Sequence, residues 1–117
     1  MLSNAQRVTH LSTEAPTILW EGRSGKQYRY WIYPIGTTFS AVGGNYIFSK
    51  ETRPGYWTPI YIGQTADLSV RFDNHHKMPC IKSHGATHIH VHRNDLERDR
   101  LAEEADLLAK WGTTCNG

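Results

Sequence analysis

The chain has 117 residues, 13 basic and 11 acidic side chains for a net charge of +2, and 38% apolar residues. That length predicts one compact domain with a real core, and no apolar run approaches the roughly 20 residues needed to span a bilayer. A charge this small neither marks nor excludes a nucleic-acid surface, because a total does not reveal a patch.

Residues 1–16 carry no periodicity and read as a loose N-terminal arm, with no apolar signal-peptide core in Met1–Thr13. Thr17–Trp20 reads as a short strand, Glu21-Gly22-Arg23-Ser24-Gly25 as a turn, and Lys26–Ile35 as a second strand with Tyr28, Tyr30 and Ile32 on one face. Residues 17–42 are thus an N-terminal β-hairpin extension, closed by Pro34 and Gly36. Gly44–Ser49 is the next strand, and Pro54-Gly55 turns the chain into Trp57–Gly63. Thr65 suits the cap of a helix over Ala66–His76, with Leu68 and Phe72 on one face, followed by a loop to Gly85. Thr87–His92 alternates polar and apolar residues and reads as a strand, with Ile89 and Val91 to one side. Asn94 and Glu97 resemble a capping box for a last helix over Asp95–Trp111, stopped by Gly112. The expected fold is α+β, with mixed α/β layers: a small, mainly antiparallel three-stranded sheet flanked by helices, plus the extra hairpin.

In the last helix, at about 100° per residue, Leu101, Ala105, Leu108 and Trp111 form an apolar stripe, with Glu103, Asp106 and Lys110 on the solvated side. Glu104 falls inside or beside that stripe. A carboxylate there needs a cation or a metal, because burying it bare is expensive. One reading is an i, i+4 pair with Arg100; the other is a metal ligand facing the sheet, with Arg100 orienting it.

With Gly44-Asn45-Tyr46, Tyr61-Ile62-Gly63 and Glu104 in place, the chain resembles the GIY-YIG nuclease family from Gly44 to Asn116. Asn45 stands where the family usually has an apolar residue. Arg71 and His75 fall at the family's arginine and histidine positions, Glu104 at its metal-binding glutamate, and Asn116 at its terminal asparagine. The resemblance implies a nuclease domain over residues 43–117. It further implies a catalytic set of Tyr46, Tyr61, Arg71, His75, Glu104 and Asn116, with Gly44 and Gly63 as structural turns. The implied activity is hydrolysis or nicking of DNA, with Mg²⁺ or Mn²⁺ on Glu104. One carboxylate suffices to anchor such an ion, whose other sites take water and phosphate oxygens. Arg71 would grip a phosphate oxygen, a task suited to a planar guanidinium. Tyr46, Tyr61 and His75 would share water activation and phosphate positioning, with Tyr46 the first candidate for the base, and Asn116 would orient the helix end or contact the phosphate. A free phenol titrates near about 10, so a tyrosine base needs help. Family members usually take specificity from attached domains, so the specificity of this short chain is expected to be weak or to come from a protein partner or a homodimer.

Two other readings come from the residues. A nuclease-like domain that only binds nucleic acid or protein fits the modest charge. A zinc-stabilised module fits six of the seven histidines lying between His75 and His92, with His88, His90 and His92 alternating along one strand and Cys80 and His84 nearby. The same alternation also describes a polar outer face. Lys26, Tyr28, Arg29, Tyr30 and Trp31 interleave charge and aromatic rings, as a nucleic-acid surface does, or simply cover a sheet edge. Cys80 and Cys115, few and far apart, read as reduced thiols, and the chain as cytoplasmic with no membrane partner.

Overall fold

The computed structural model describes residues 15–70 and 72–117. Arg71 and all but the end of the N-terminal arm lie outside the described residues. The architecture is mixed α+β. Strands β1 (Thr17–Glu21), β2 (Gln27–Pro34), β3 (Gly44–Arg53), β4 (Tyr56–Thr65) and β5 (His88–Arg93) form one antiparallel sheet in the order β1-β2-β5-β3-β4. Helices α1 (Met78–Ser83) and α2 (Glu97–Lys110) accompany it, with a 3-10 turn at Phe72–Asn74.

The N-terminal hairpin is part of the sheet and not an appendage to a three-stranded one. β2 pairs with β5 from Trp31↔Val91 to Pro34↔His88, covering an edge that β5 would otherwise expose. The hairpin turns follow from the glycines: Gly25 and Gly55 adopt φ of 90° and 83°, a conformation side chains resist. No helix among the described residues is long and apolar enough to cross a membrane.

Both faces of the sheet are buried. On one, Tyr46, Phe48, Ile60, Ile89 and Val91 pack under Leu68, Met78, Ile81 and Cys115. On the other, Ile18, Trp20, Tyr30, Ile32, Ile47 and Ile62 pack under Leu107 of α2. The second layer overturns the polar outer face expected of β5. His90 is fully buried beside Trp20 and Trp57, and its Nδ1 accepts the Trp20 indole N–H at 3.0 Å.

The apolar stripe of α2 is out of phase with expectation. Arg100, Glu103 and Leu107 are buried, while Leu101 is 46% exposed. Polar partners decide the phase. The Tyr30 hydroxyl donates to Glu103 Oε2 at 2.6 Å, and His92 Nε2 lies 2.9 Å from the same carboxylate. Arg100 donates to Gln64 Oε1 and to the carbonyls of Asn94 and Asp95, so its donors go elsewhere than to Glu104. Asp106, expected in solvent, accepts from Tyr28 and Ser24 at 2.7 Å each and fastens α2 to the hairpin. Polar groups tolerate burial once partnered, and a count of apolar residues cannot see the partners.

Several local expectations also fail. Ala66–Val70 is turn and bend, not helix, because short side chains take the backbone groups. Thr65 Oγ1 accepts the Asp67 N–H at 3.1 Å, and Asp67 Oδ1 accepts the Ser69 N–H at 2.8 Å. The helix forms later, at α1, where Pro79 suits the first turn. The capping box is absent: Leu96 is the N-cap without a side-chain cap, and Asn94 Nδ2 donates to Asn45 Oδ1 instead. α2 ends at Lys110 with extended Trp111 as its C-cap, ahead of Gly112. Finally, Cys80 and Cys115 form a disulfide with Cα atoms 5.9 Å apart, which overturns the reduced-thiol reading. The tail returns along β4, where the Cys115 N–H donates to the Ile60 carbonyl at 3.1 Å, and so reaches α1 across 35 residues of sequence.

Candidate active site

The two tyrosine motifs lie side by side on neighbouring strands. In the β3–β4 register Tyr46 is opposite Gly63, and Phe48 is opposite Tyr61. A Cβ on Gly63 would lie 2.7 Å from the Tyr46 ring carbon Cζ and from its hydroxyl, and 2.9 Å from Tyr61 Cε2. Gly63 is therefore the floor on which the tyrosine rings rest. A Cβ on Gly44 would meet Leu68 Cδ1 at 2.5 Å and the His92 carbonyl at 2.6 Å. That glycine lets the loop after β4 close over the sheet.

Tyr46, Tyr61 and His75 form one aromatic cluster. The two phenol rings stack with centroids 6.1 Å apart, and the His75 ring stands edge-on to both, at 5.9 and 4.9 Å. His75 Nε2 is 2.9 Å from the Tyr46 hydroxyl, and His75 Nδ1 accepts the Lys77 backbone N–H at 3.0 Å. An amide N–H can only donate, so Nδ1 carries no proton and the neutral ring holds its proton on Nε2. His75 therefore donates to Tyr46. Burial, then the charges of His76 and Lys77, push the His75 pKa down, which keeps this neutral form.

The Tyr46 pKa is pushed well up by burial first, then by Tyr61 and Glu104. Tyr61 is raised by burial and then by Glu104. The donors run from Lys77 N–H to His75 and from His75 to Tyr46, whose ring stacks on that of the partly buried Tyr61.

Glu104 is half-buried on α2, and burial raises its carboxyl. Its charge reaches both tyrosines, although it projects from a helix on the opposite layer of the sheet. The turn of α2 that carries it is pinned to β3 by Asn45, whose Nδ2 donates to the Arg100 carbonyl at 3.0 Å. Asn45 is fully buried, and its hydrogen bond to α2 gives it a structural reason to be polar.

Asn116 acts on β4 itself. Its Oδ1 accepts the Ile62 N–H and its Nδ2 donates to the Ile62 carbonyl, both at 2.8 Å. The side chain imitates a strand partner on the outer edge of β4, next to Tyr61, and so positions the strand and not the helix end.

The structure thus brings Tyr46, Tyr61 and His75 into contact, places Glu104 within electrostatic reach and uses Asn116 as a clamp; Arg71 lies outside the described residues. The histidines of β5 do not gather round a metal, since His90 is held by Trp20 and His92 by Glu103. A cavity of 490 Å³ on the tyrosine face is lined by Ile35, Phe48, Phe72, Met78 and Ile89 together with the polar Thr37, Thr38, Ser69, Asp73 and Lys82, and not by the tyrosine–histidine cluster. Sequence reasoning missed Asn45 and the Tyr30–Glu103–His92 set. The only signal was the i, i+3, i+7 spacing of Arg100, Glu103 and Leu107, which hydrophobicity alone reads as solvent. No family model, no curated protein and no solved structure matches the chain.

Proposed function

We propose that this chain is a metal-dependent endonuclease of GIY-YIG type that hydrolyses or nicks DNA phosphodiester bonds. The observation that carries the reading is the hydrogen bond between His75 and Tyr46, with Tyr61 stacked on Tyr46, in the field of the half-buried Glu104 carboxylate.

Glu104 suits a hard divalent cation: burial leaves its anion under-compensated, and one carboxylate with water and phosphate oxygens is a normal Mg²⁺ environment. When bound, Mg²⁺ or Mn²⁺ would stabilise charge on the phosphate and on the leaving oxygen. Tyr61, the more exposed of the two stacked phenols, is the base toward the nucleophilic water. Its phenolate would lie against Tyr46, which accepts from His75. Offsetting Glu104 with a cation removes one of the charges that hold both phenol pKa values up. Arg71 keeps the phosphate-gripping role that the resemblance implies. DNA is the partner in this reading, with specificity taken from a second protein or a second copy of the chain. Its place is the cytoplasm, a compartment that reduces most disulfides.

The test is incubation with supercoiled plasmid and Mg²⁺ or Mn²⁺, with Glu104→Ala alongside. Conversion to nicked circles by the wild type alone supports the proposal. DNA binding without cleavage under either metal would instead favour a silent binding domain.

A further inference from the structure

On the tyrosine face of the sheet, the disulfide has a third neighbour. Cys80 lies in α1 and His84 is its C-cap, four residues on and therefore on the same side of the turn. His84 Nδ1 is 3.6 Å from Cys80 Sγ and 3.8 Å from Cys115 Sγ. The three ligand atoms all lie within 4.8 Å of one another. We propose that Cys80, His84 and Cys115 form a redox-gated zinc site, closed as a disulfide when oxidised and holding one Zn²⁺ when reduced.

The spacing fits. With Zn–S of about 2.3 Å and Zn–N of about 2.0 Å, tetrahedral geometry puts the nitrogen–sulfur edges near about 3.5 Å and the sulfur–sulfur edge near about 3.8 Å. Both nitrogen–sulfur edges already stand close to that value. Only the sulfur–sulfur edge must open, and reduction opens it. Two thiolates and one imidazole are the soft, nitrogen-containing set zinc takes, and His84 is exposed, so water can fill the fourth position.

The proton balance is explicit. In the oxidised form His84 Nδ1 lies 2.9 Å from the Cys80 carbonyl, which only accepts, so Nδ1 carries a proton. A dithiol reductant breaks the sulfur–sulfur bond, becomes a disulfide itself and leaves two thiols. Zinc then displaces the two thiol protons, and His84 coordinates as the neutral ring through Nδ1 with its proton moved to Nε2. An oxidant of the peroxide class takes two electrons from the thiolates, re-forms the disulfide and releases the metal.

The site has a place in the fold. Cys115 precedes Asn116, whose amide braces Ile62 next to Tyr61. Either closure, disulfide or zinc, ties that tail to α1. The reduced, metal-free form leaves the tail held by its hydrogen bonds to β4 alone.

Full-length protein, reduced with a phosphine and separately oxidised, is titrated anaerobically with Co²⁺ and followed in the thiolate-to-cobalt charge-transfer band; Zn²⁺ is then added. The reduced form is expected to take one Co²⁺ per chain with that band, and one equivalent of Zn²⁺ to abolish it. The oxidised form is expected to show no band, and Cys80→Ser and Cys115→Ser to lose most of it. His84→Ala, an exposed change that leaves the core intact, is expected to keep a band at weaker affinity. The proposal is overturned if the reduced wild type shows no band, which leaves a plain structural disulfide. It is equally overturned if the serine variants match the wild type, or if His84→Ala binds as tightly as it.

Discussion

His75 Nε2 and the Tyr46 hydroxyl lie 2.9 Å apart across 29 residues of sequence, and the Lys77 amide on the other ring nitrogen makes His75 the donor. A histidine arranged this way does not take the proton of Tyr46. It stabilises negative charge on the Tyr46 oxygen.

Tyr46→Phe removes the acceptor of His75 while keeping the ring stacked on Tyr61. A stability loss of about 1 kcal/mol is expected in denaturant titration, the size of one part-buried hydrogen bond. Nicking is expected to fall about 100-fold, the lower range for a disrupted base. Unchanged nicking would remove Tyr46 from the catalytic set.

Gly63→Ala tests the floor beneath the rings. Its new Cβ would lie 2.7 Å from the Tyr46 hydroxyl, and Tyr46 is itself buried. The ring or the strand must shift, at about 1–3 kcal/mol as for other overpacked sites. Thermal or chemical denaturation reads this directly, and a neutral outcome would mean that the two motifs do not pack as described.

Asn116→Ala leaves the N–H and C=O of Ile62 without their two side-chain partners. A loss of about 1–3 kcal/mol is expected. Asn116→Asp is expected to be at least as costly, since it sets an oxygen against the Ile62 carbonyl. Amide hydrogen exchange at Ile62 is the local check: faster exchange in both variants is predicted.

Burial and the nearby His88 push the His90 pKa down to about 3. Unfolded, the same ring titrates near about 6.5, so between these values the unfolded chain binds a proton that the folded one refuses. The stability held by neutral His90 is complete above about pH 6.5 and is lost as pH falls toward 3, at up to about 1.4 kcal/mol per pH unit. His90→Gln keeps an acceptor for the Trp20 indole and cannot titrate. The slope of unfolding free energy against pH over that window is expected to be shallower in this variant than in the wild type.

Much of the fold was readable where residues speak for themselves. Gly25 and Gly55 marked the hairpins, and the alternation of Tyr30 with Ile32, and of Ile89 with Val91, gave the right faces. The misreadings share one cause, partners far away in sequence. His90 looked like a surface residue until Trp20 supplied its hydrogen bond, 70 residues off. Glu103 looked solvated until Tyr30 and His92 enclosed it. Glu104 was singled out with the stripe of α2 one residue out of phase, yet it does sit half-buried. Cys80 and Cys115 looked unrelated because the tail's return along β4 leaves no local mark.

Glu103 and Glu104 are adjacent in sequence and opposite in expected role, so their glutamine variants give the most direct test. Purified Glu103→Gln and Glu104→Gln are compared by chemical denaturation and by plasmid nicking in Mg²⁺ at a temperature where both are folded. Glu103→Gln is expected to lose about 1–3 kcal/mol of stability, as a carboxylate held by Tyr30 and His92 should, and to keep nicking. Glu104→Gln is expected to keep its stability and to lose nicking by about 100-fold or more. Nicking by Glu104→Gln at the wild-type rate, or none by the wild type itself under any divalent cation, would contradict the assignment of the metal and the chemistry to Glu104.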